Sequence, residues 1–158
     1  MRVGIGIDVH PFADDRPLVL GGVRFDGERG LAGHSDADVV AHAVAEALLG
    51  AAGLGDLGTH FPDTDPQWAG ADSLDLLGEV ARRLGRAGWR TGNVDCSVVL
   101  EAPRLAPHRA EMEARLSAAA AGPVSVKATR PEQLGALGRG EGVACLAVAL
   151  VLPVESRR

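Results

Sequence analysis

Short apolar runs of period two take turns along this chain with longer runs of helical period, and that alternation constrains its fold more than any other feature. Val3, Ile5, Ile7 and Val9 alternate with Gly4, Gly6 and Asp8, which predicts a strand over 2–9. Two short extended pieces over 18–25 meet at Gly21-Gly22, the signature of a hairpin. His34-Ser35-Asp36 supplies capping chemistry, and Val39, Ala43, Ala47 and Leu48 then repeat at helical spacing, so a helix is expected over 36–52. A second helix is expected over 71–87, with Leu74, Leu77, Val80, Ala81 and Leu84 on one face. A strand over 93–100, a helix over 104–120 and a strand over 124–128 follow. After the Gly-rich segment 135–142, a last strand runs over 143–152.

This order predicts an α+β, α-β sandwich architecture. Helices pack on one face of a mostly four-stranded mixed sheet, and an extra N-terminal β-hairpin is added to it. No repeat, low-complexity tract or linker interrupts the chain, so residues 1–158 read as a single domain. The segment 53–70, rich in Gly, Asp and Pro, is too irregular for a regular element and reads as a binding loop.

Phe12, Phe25, Phe61, Trp68 and Trp89 are the only aromatic residues, so the core must be built mainly of Leu, Val and Ala. Such small side chains suit tight layers and burial against other subunits. The formal charge of −5 argues against nucleic acid as a partner, because phosphate backbones attract Lys/Arg-rich surfaces. It leaves room for a phosphorylated metabolite whose charge is met by metals and backbone amides. Cys96 and Cys145 both fall in strand-like stretches, which favours buried free thiols in a reducing cytoplasm over a disulfide framework. The N-terminus carries no signal segment, and no apolar run approaches the roughly 20 residues of a membrane span. A cytoplasmic protein without a membrane contact is the expectation.

Asp8 and His10 stand two apart at the end of a strand and project from the same face. With His42, set among apolar neighbours in the first helix, they supply the three protein ligands of a catalytic zinc site that keeps one position open. Asp38, four residues before His42, is placed to orient the imidazole, and Glu46 lies one turn further on. Against this, an Asp-x-His triplet ends many strands without binding anything, and a helix histidine is more often a satisfied interior one. Spacing alone does not bring the three together.

His34 and Ser35 precede the helix, so an imidazole, a hydroxyl and free amides gather as in an anion site. The same Ser35 or Asp36 also reads as a simple cap. In the following loop Asp56, Asp63 and Asp65 offer carboxylates for polyol hydroxyls, and Leu57 and Phe61 offer cover for apolar carbons. Turn-setting is the competing role for these acids. His60 has no convergent partner in the sequence and is expected on the surface. Glu132 is a candidate ligand for a second, harder cation, and Arg139 either binds an anion or pairs with Glu141.

These pieces, in this order, resemble the 2-C-methyl-D-erythritol 2,4-cyclodiphosphate synthase family. The resemblance rests on Gly6-Ile7-Asp8-Val9-His10, on Ala32-Gly33-His34-Ser35-Asp36-Ala37-Asp38 with His42, and on Leu54-Gly55-Asp56-Leu57-Gly58. It continues through Phe61-Pro62-Asp63-Thr64-Asp65-Pro66, Gly92-Asn93-Val94-Asp95, Ala102-Pro103-Arg104 with Pro107-His108, and Gly138-Arg139-Gly140-Glu141-Gly142.

The resemblance implies a homotrimer with active sites between subunits. It implies one zinc ion per subunit on Asp8, His10 and His42, and Mg²⁺ or Mn²⁺ on Glu132 bridging the substrate diphosphate. His34 and Ser35 match the segment that holds the methylerythritol phosphate, where Asp8 and His10 also meet substrate. Asp56 and Gly58 match the ribose contacts, Leu57 between them is a further substrate position, and Phe61, Asp63 and Asp65 match the loop around the methylerythritol unit. Leu100, Arg104, Leu105 and Ala106 match the cytosine pocket, and Ala128, Thr129 and Arg139 are further substrate positions. His34 and Arg130 stand at the catalytic positions. Arg130 departs from the family, which commonly carries a threonine there, and can take over by direct contact with a phosphate oxygen. Ala136 likewise replaces a bulkier residue near the trimer axis, where some members hold isoprenoid diphosphates beside an arginine matching Arg139.

The implied reaction is a cyclase (phosphorus–oxygen lyase) step of the non-mevalonate isoprenoid pathway. It converts 4-diphosphocytidyl-2-C-methyl-D-erythritol 2-phosphate to the 2,4-cyclodiphosphate with release of CMP. The alternatives are a non-catalytic nucleotide or isoprenoid-diphosphate binding protein on the same fold, against which the intact Asp8, His10 and His42 weigh, and a metal-dependent phosphatase giving linear products.

Overall fold

In the computed structural model, which describes residues 1–154, the first strand is longer than its alternating pattern. β1 (Arg2–Ala13) pairs antiparallel with β7 (Gly142–Pro153), and β7 pairs antiparallel with β5 (Trp89–Val99). β5 pairs parallel with β6 (Val124–Thr129), and the two-residue β4 (Gly30–Leu31) closes the other edge on β1. The sheet is therefore mixed, in the order β4-β1-β7-β5-β6. β2 (Leu18–Leu20) and β3 (Val23–Phe25) form the expected separate hairpin. Gly21 and Gly22 both have positive φ, the requirement of its two-residue turn.

α1 (Val39–Ala52) lies along β1 and β7 and is buried almost all round. Its unburied positions are His42, Glu46 and Gly50, one stripe at four-residue spacing. The helix can sit this close because β1 carries glycine beneath it. A Cβ on Gly4 would stand 2.2 Å from the Ala47 carbonyl oxygen, and one on Gly6 would stand 2.1 Å from that of Ala43. α3 (Ser73–Arg86) packs on α1 and β5, and α4 (Arg109–Ala119) on β6 and α3. Val94, Cys96, Val98, Val143, Cys145, Ala147 and Ala149 face these helices and form the floor of the core. Cys96 and Cys145 are buried free thiols.

The opposite face of the sheet is uncovered in the single chain. Val3, Ile5, Ile7 and Val9 are between 56% and 67% exposed, and Leu146 and Val148 continue the patch on β7. One solvated face of a mixed sheet ordinarily carries polar side chains, so an apolar row of this length marks a contact surface.

Three expectations need correction. The first helix begins at Val39 and not at 36, because Ala37 takes φ 58° and Asp38 is the N-cap. Asp38 does not orient the His42 imidazole. Its fully buried carboxylate accepts from the amides of Gly21 (2.8 Å), Gly22 (2.6 Å), Val40 (3.0 Å) and Ala41 (3.1 Å), which ties the hairpin turn to the helix N-terminus. The helix expected from 104 starts at Arg109, after a non-helical stretch that contains Pro107. Between α1 and α3 the irregular segment holds the four-residue α2 (Leu57–His60) and a 3-10 turn, Pro66–Trp68.

Candidate active site

Asp8 and His10, on the helix-facing side of β1, meet His42 on the unburied stripe of α1. His10 Nε2 and His42 Nδ1 each lie 2.9 Å from Asp8 Oδ2, and they are 3.4 Å from one another. One ligand atom from each residue falls within 4.8 Å of the other two. The tautomers suit a cation. His10 Nδ1 stands 2.7 Å from the Ala32 carbonyl, which can only accept, so Nδ1 carries the proton and Nε2 offers its lone pair. His42 directs Nε2 at the hydroxyls of Ser73 (2.9 Å) and Ser35 (3.1 Å), which leaves Nδ1 for the centre. Burial pushes the Asp8 carboxyl up, but hydrogen bonds from His10 and His42 outweigh it and hold the group well below the usual carboxylate range. The Asp8 carboxylate raises the His10 imidazole above its ordinary value, against the pull of burial. Two imidazoles and one anionic oxygen at this separation fit a divalent metal of the zinc type.

The triad opens into a cavity of about 520 Å³. His34, Ser35, Glu46, Leu57, Gly58, Phe61, Pro62, Asp63, Trp68 and Leu76 complete its lining. The cavity thus gathers most of the first-half site residues expected from the sequence. Asp56 and Asp65 do not line it. Asp56 accepts from Thr59 N at 2.7 Å and caps α2, and Asp65 accepts from Gln67 N at 3.0 Å and caps the 3-10 turn. Glu46 accepts from Leu57 N at 3.0 Å, holding α2 against α1 at the rim.

A second cavity of about 190 Å³ lies beyond the carboxyl ends of the parallel pair β5 and β6. It is lined by Leu100, Arg104, Leu105, Ala106, Ala128, Thr129 and Arg130, with Glu101 and Pro103. Open sheets commonly bind ligands beyond the carboxyl ends of parallel strands. The two cavities share no lining residue. Glu132 and Arg139 line neither. Glu132 follows β6 with φ 54°, and Arg139 pairs with Glu141 at 2.6 Å.

Several contacts around the site carry no signal in the sequence. His60 is not a free surface residue: its Nε2 donates to the Leu54 carbonyl at 2.7 Å and its Nδ1 accepts from Arg83. The Arg83 guanidinium also stacks 5.0 Å over the Phe61 ring, which meets Trp68 in a T-shaped contact and the His60 ring at a tilt. Glu79 bonds Arg82, Arg86 and Arg83, which hold it at about 2 and fix the guanidinium in place. Arg16 donates to the carbonyls of Gly33 and Ser35 and pins the His34 segment, and Gly70 N donates to His34 O at 2.9 Å.

The mixed sheet, the half-covered face and the Asp-His-His cluster define a small α+β protein with a candidate metal site. The chain belongs to the YgbB family, whose family model matches residues 1–152. It is 54% identical over 154 residues to the 2-C-methyl-D-erythritol 2,4-cyclodiphosphate synthase of Thiobacillus denitrificans, covering 96% of each. It is 56% identical to the bifunctional enzyme IspD/IspF of an Anaeromyxobacter species, where 98% of this chain spans 41% of that protein's length. The IspF–CDP complex of Plasmodium falciparum superposes with a TM-score of 0.83 at 28% identity, over 98% of this chain and 97% of that one. No helix among the described residues is long and apolar enough to cross a membrane.

Proposed function

We propose that this chain is a metal-dependent 2-C-methyl-D-erythritol 2,4-cyclodiphosphate synthase. It converts 4-diphosphocytidyl-2-C-methyl-D-erythritol 2-phosphate to the cyclic diphosphate and CMP. The observation that carries the reading is the convergence of Asp8, His10 and His42 at the floor of a cavity walled by His34, Ser35, Phe61 and Asp63. The CDP in the related complex supports a cytidine nucleotide as ligand.

An oxygen of the 2-phosphate attacks the β-phosphorus, and the bond from that phosphorus to the oxygen bridging to CMP breaks. No protein nucleophile takes part. Asp8, His10 and His42 would hold zinc and Glu132 a Mg²⁺ or Mn²⁺ ion, and these would supply positive charge to offset the repulsion of the approaching phosphates. The chain's own residues hold the substrate bent. His34 and Ser35 donate to phosphate oxygens, and Asp63 accepts from the polyol hydroxyls. Leu57 and Phe61 cover its carbons and exclude water, so the reacting atoms meet as if at very high concentration. The backbone around Leu100, Arg104, Leu105 and Ala106 reads cytosine, Ala128 and Thr129 close that pocket, and Arg130 contacts the diphosphate in place of a threonine hydroxyl. Asp56 and Gly58 take the ribose, with Asp65 on the same loop.

The cytidine and methylerythritol cavities share no lining residue within one chain, which supports a substrate held between two subunits. The apolar row of Val3, Ile5, Ile7 and Val9 supports burial of that face in a homotrimer. The chain works as one domain, in the cytoplasm, without nucleic acid or membrane.

³¹P NMR of the protein with this substrate tests the reading. Appearance of a cyclic diphosphate together with CMP supports it; a linear phosphorylated product favours a hydrolase, and binding without turnover favours a sensor.

A further inference from the structure

Ser73 opens α3, is 1% exposed and lines neither cavity, yet its hydroxyl lies 2.9 Å from Nε2 of His42. Behind it stands Asp36, which accepts from both the Ser73 hydroxyl and, at 3.2 Å, the Ser73 amide. A hydroxyl whose proton is committed to a carboxylate has only its lone pairs left for the imidazole. The Asp36–Ser73 pair therefore presents an acceptor to His42 Nε2. That acceptor selects the form of His42 with its proton on Nε2 and its free lone pair on Nδ1, the nitrogen aimed at Asp8.

We propose that Ser73, oriented by Asp36, is a positioning residue for His42, fixing the tautomer and ring plane that turn Nδ1 into the metal centre. The proposal rests on the reading of Asp8, His10 and His42 as metal ligands. The group that orients a metal-binding histidine is ordinarily a carboxylate or a carbonyl bonded directly to its other ring nitrogen. In this chain the carboxylate acts through an interposed serine.

The arrangement also divides labour between the two serines that reach His42. Ser35 Oγ accepts from Ala37 N at 3.2 Å, lies 3.1 Å from His42 Nε2 and lines the cavity. Its hydroxyl proton is free to turn to a phosphate oxygen or to Ser73 Oγ, 3.3 Å away. Ser73 lines neither cavity, so it reaches substrate through no contact of its own.

The test is Zn²⁺ affinity, by competition with a chromophoric chelator, together with ¹⁵N NMR of histidine-labelled protein loaded with Zn²⁺. Ser73→Ala is expected to weaken Zn²⁺ binding by about 10- to 100-fold and to speed exchange of the His42 Nε2 proton with water. Ser73→Thr, which keeps the hydroxyl, recovers most of the affinity. Ser35→Ala raises KM far more than it weakens Zn²⁺ binding. Should Ser73→Ala fail to fold, Asp36→Ala removes the acceptor behind the serine and is expected to weaken Zn²⁺ in the same direction. Unchanged Zn²⁺ affinity in Ser73→Ala, with the Nε2 proton still protected, overturns the proposal, as does unchanged affinity in Asp36→Ala. A wild-type protein that takes up no Zn²⁺ overturns instead the metal reading on which the proposal stands.

Discussion

His42 Nδ1 lies 2.9 Å from Asp8 Oδ2, joining the most buried helix to the first strand of the sheet at the one place where both offer a polar side chain. Apart from the cavity stripe, the helix that carries His42 is small and apolar. The approach of α1 to β1 depends on Gly4 and Gly6, and the stripe carrying His42 and Glu46 is all of the helix that faces the cavity.

Gly6→Ala is accordingly a stability probe. Its Cβ would meet the backbone oxygen of Ala43, which cannot rotate away. A loss of about 1–3 kcal/mol, typical of overpacking, is expected from urea denaturation. An unchanged midpoint would mean that α1 can shift outward at no cost.

Metal binding is expected to strengthen with pH. His10 is raised above its ordinary 6.5 by Asp8, and it must lose a proton before Nε2 can bind zinc. Calorimetry in buffers of different ionisation heat should show proton release that shrinks as pH rises through the raised value. In metal-free protein the pair itself stabilises the fold. The His10 part is complete below 6.5 and lost as pH rises through its raised value. The Asp8 part is complete above 3.8 and lost as pH falls through its lowered value. Thermal melting after chelator treatment should therefore show the pair's contribution greatest between those limits.

Arg83→Met removes the cation over Phe61 and the donor to His60 while keeping an apolar stem. Each of these two interactions is worth about 1 kcal/mol, so KM is expected to rise by up to about 30-fold with zinc affinity unchanged. Equal KM values would mean that Trp68 and His60 hold the Phe61 wall without Arg83.

Much of this architecture is legible in the chain. The alternation around Val3 to Val9, the Gly-Gly hairpin and the helical repeat from Val39 all form as their patterns predict, because each is a local steric or burial rule. Asp8, His10 and His42 are legible as candidate ligands but not as a cluster, since their meeting depends on how closely α1 sits on β1. What stayed hidden depends on distant partners. Asp38 reads as lying one turn from His42, whereas its carboxylate belongs to the amides of Gly21 and Gly22. Ser73 carries no signal in the sequence and His60 reads as solitary, because His42 and Arg83 reach them only in the fold.

Ile5→Asp places a charge in the apolar row on the uncovered sheet face. With the proposed homotrimer, light scattering should show a shift to smaller species, with loss of CMP release and retention of zinc uptake. Full turnover by a dissociated chain would mean that one subunit carries a complete site.

The most direct test of metal-dependent cyclisation is CMP release from metal-stripped protein as Zn²⁺ is added back in the presence of Mg²⁺, with the product followed by ³¹P NMR. Turnover is expected to return with uptake of about one zinc per chain, the occupancy of a single three-ligand site. The product is expected to be the cyclic diphosphate, and folded His42→Ala to recover neither zinc nor turnover. Turnover that is indifferent to Zn²⁺, or that survives in His42→Ala, would contradict a zinc centre on Asp8, His10 and His42 as the seat of the reaction.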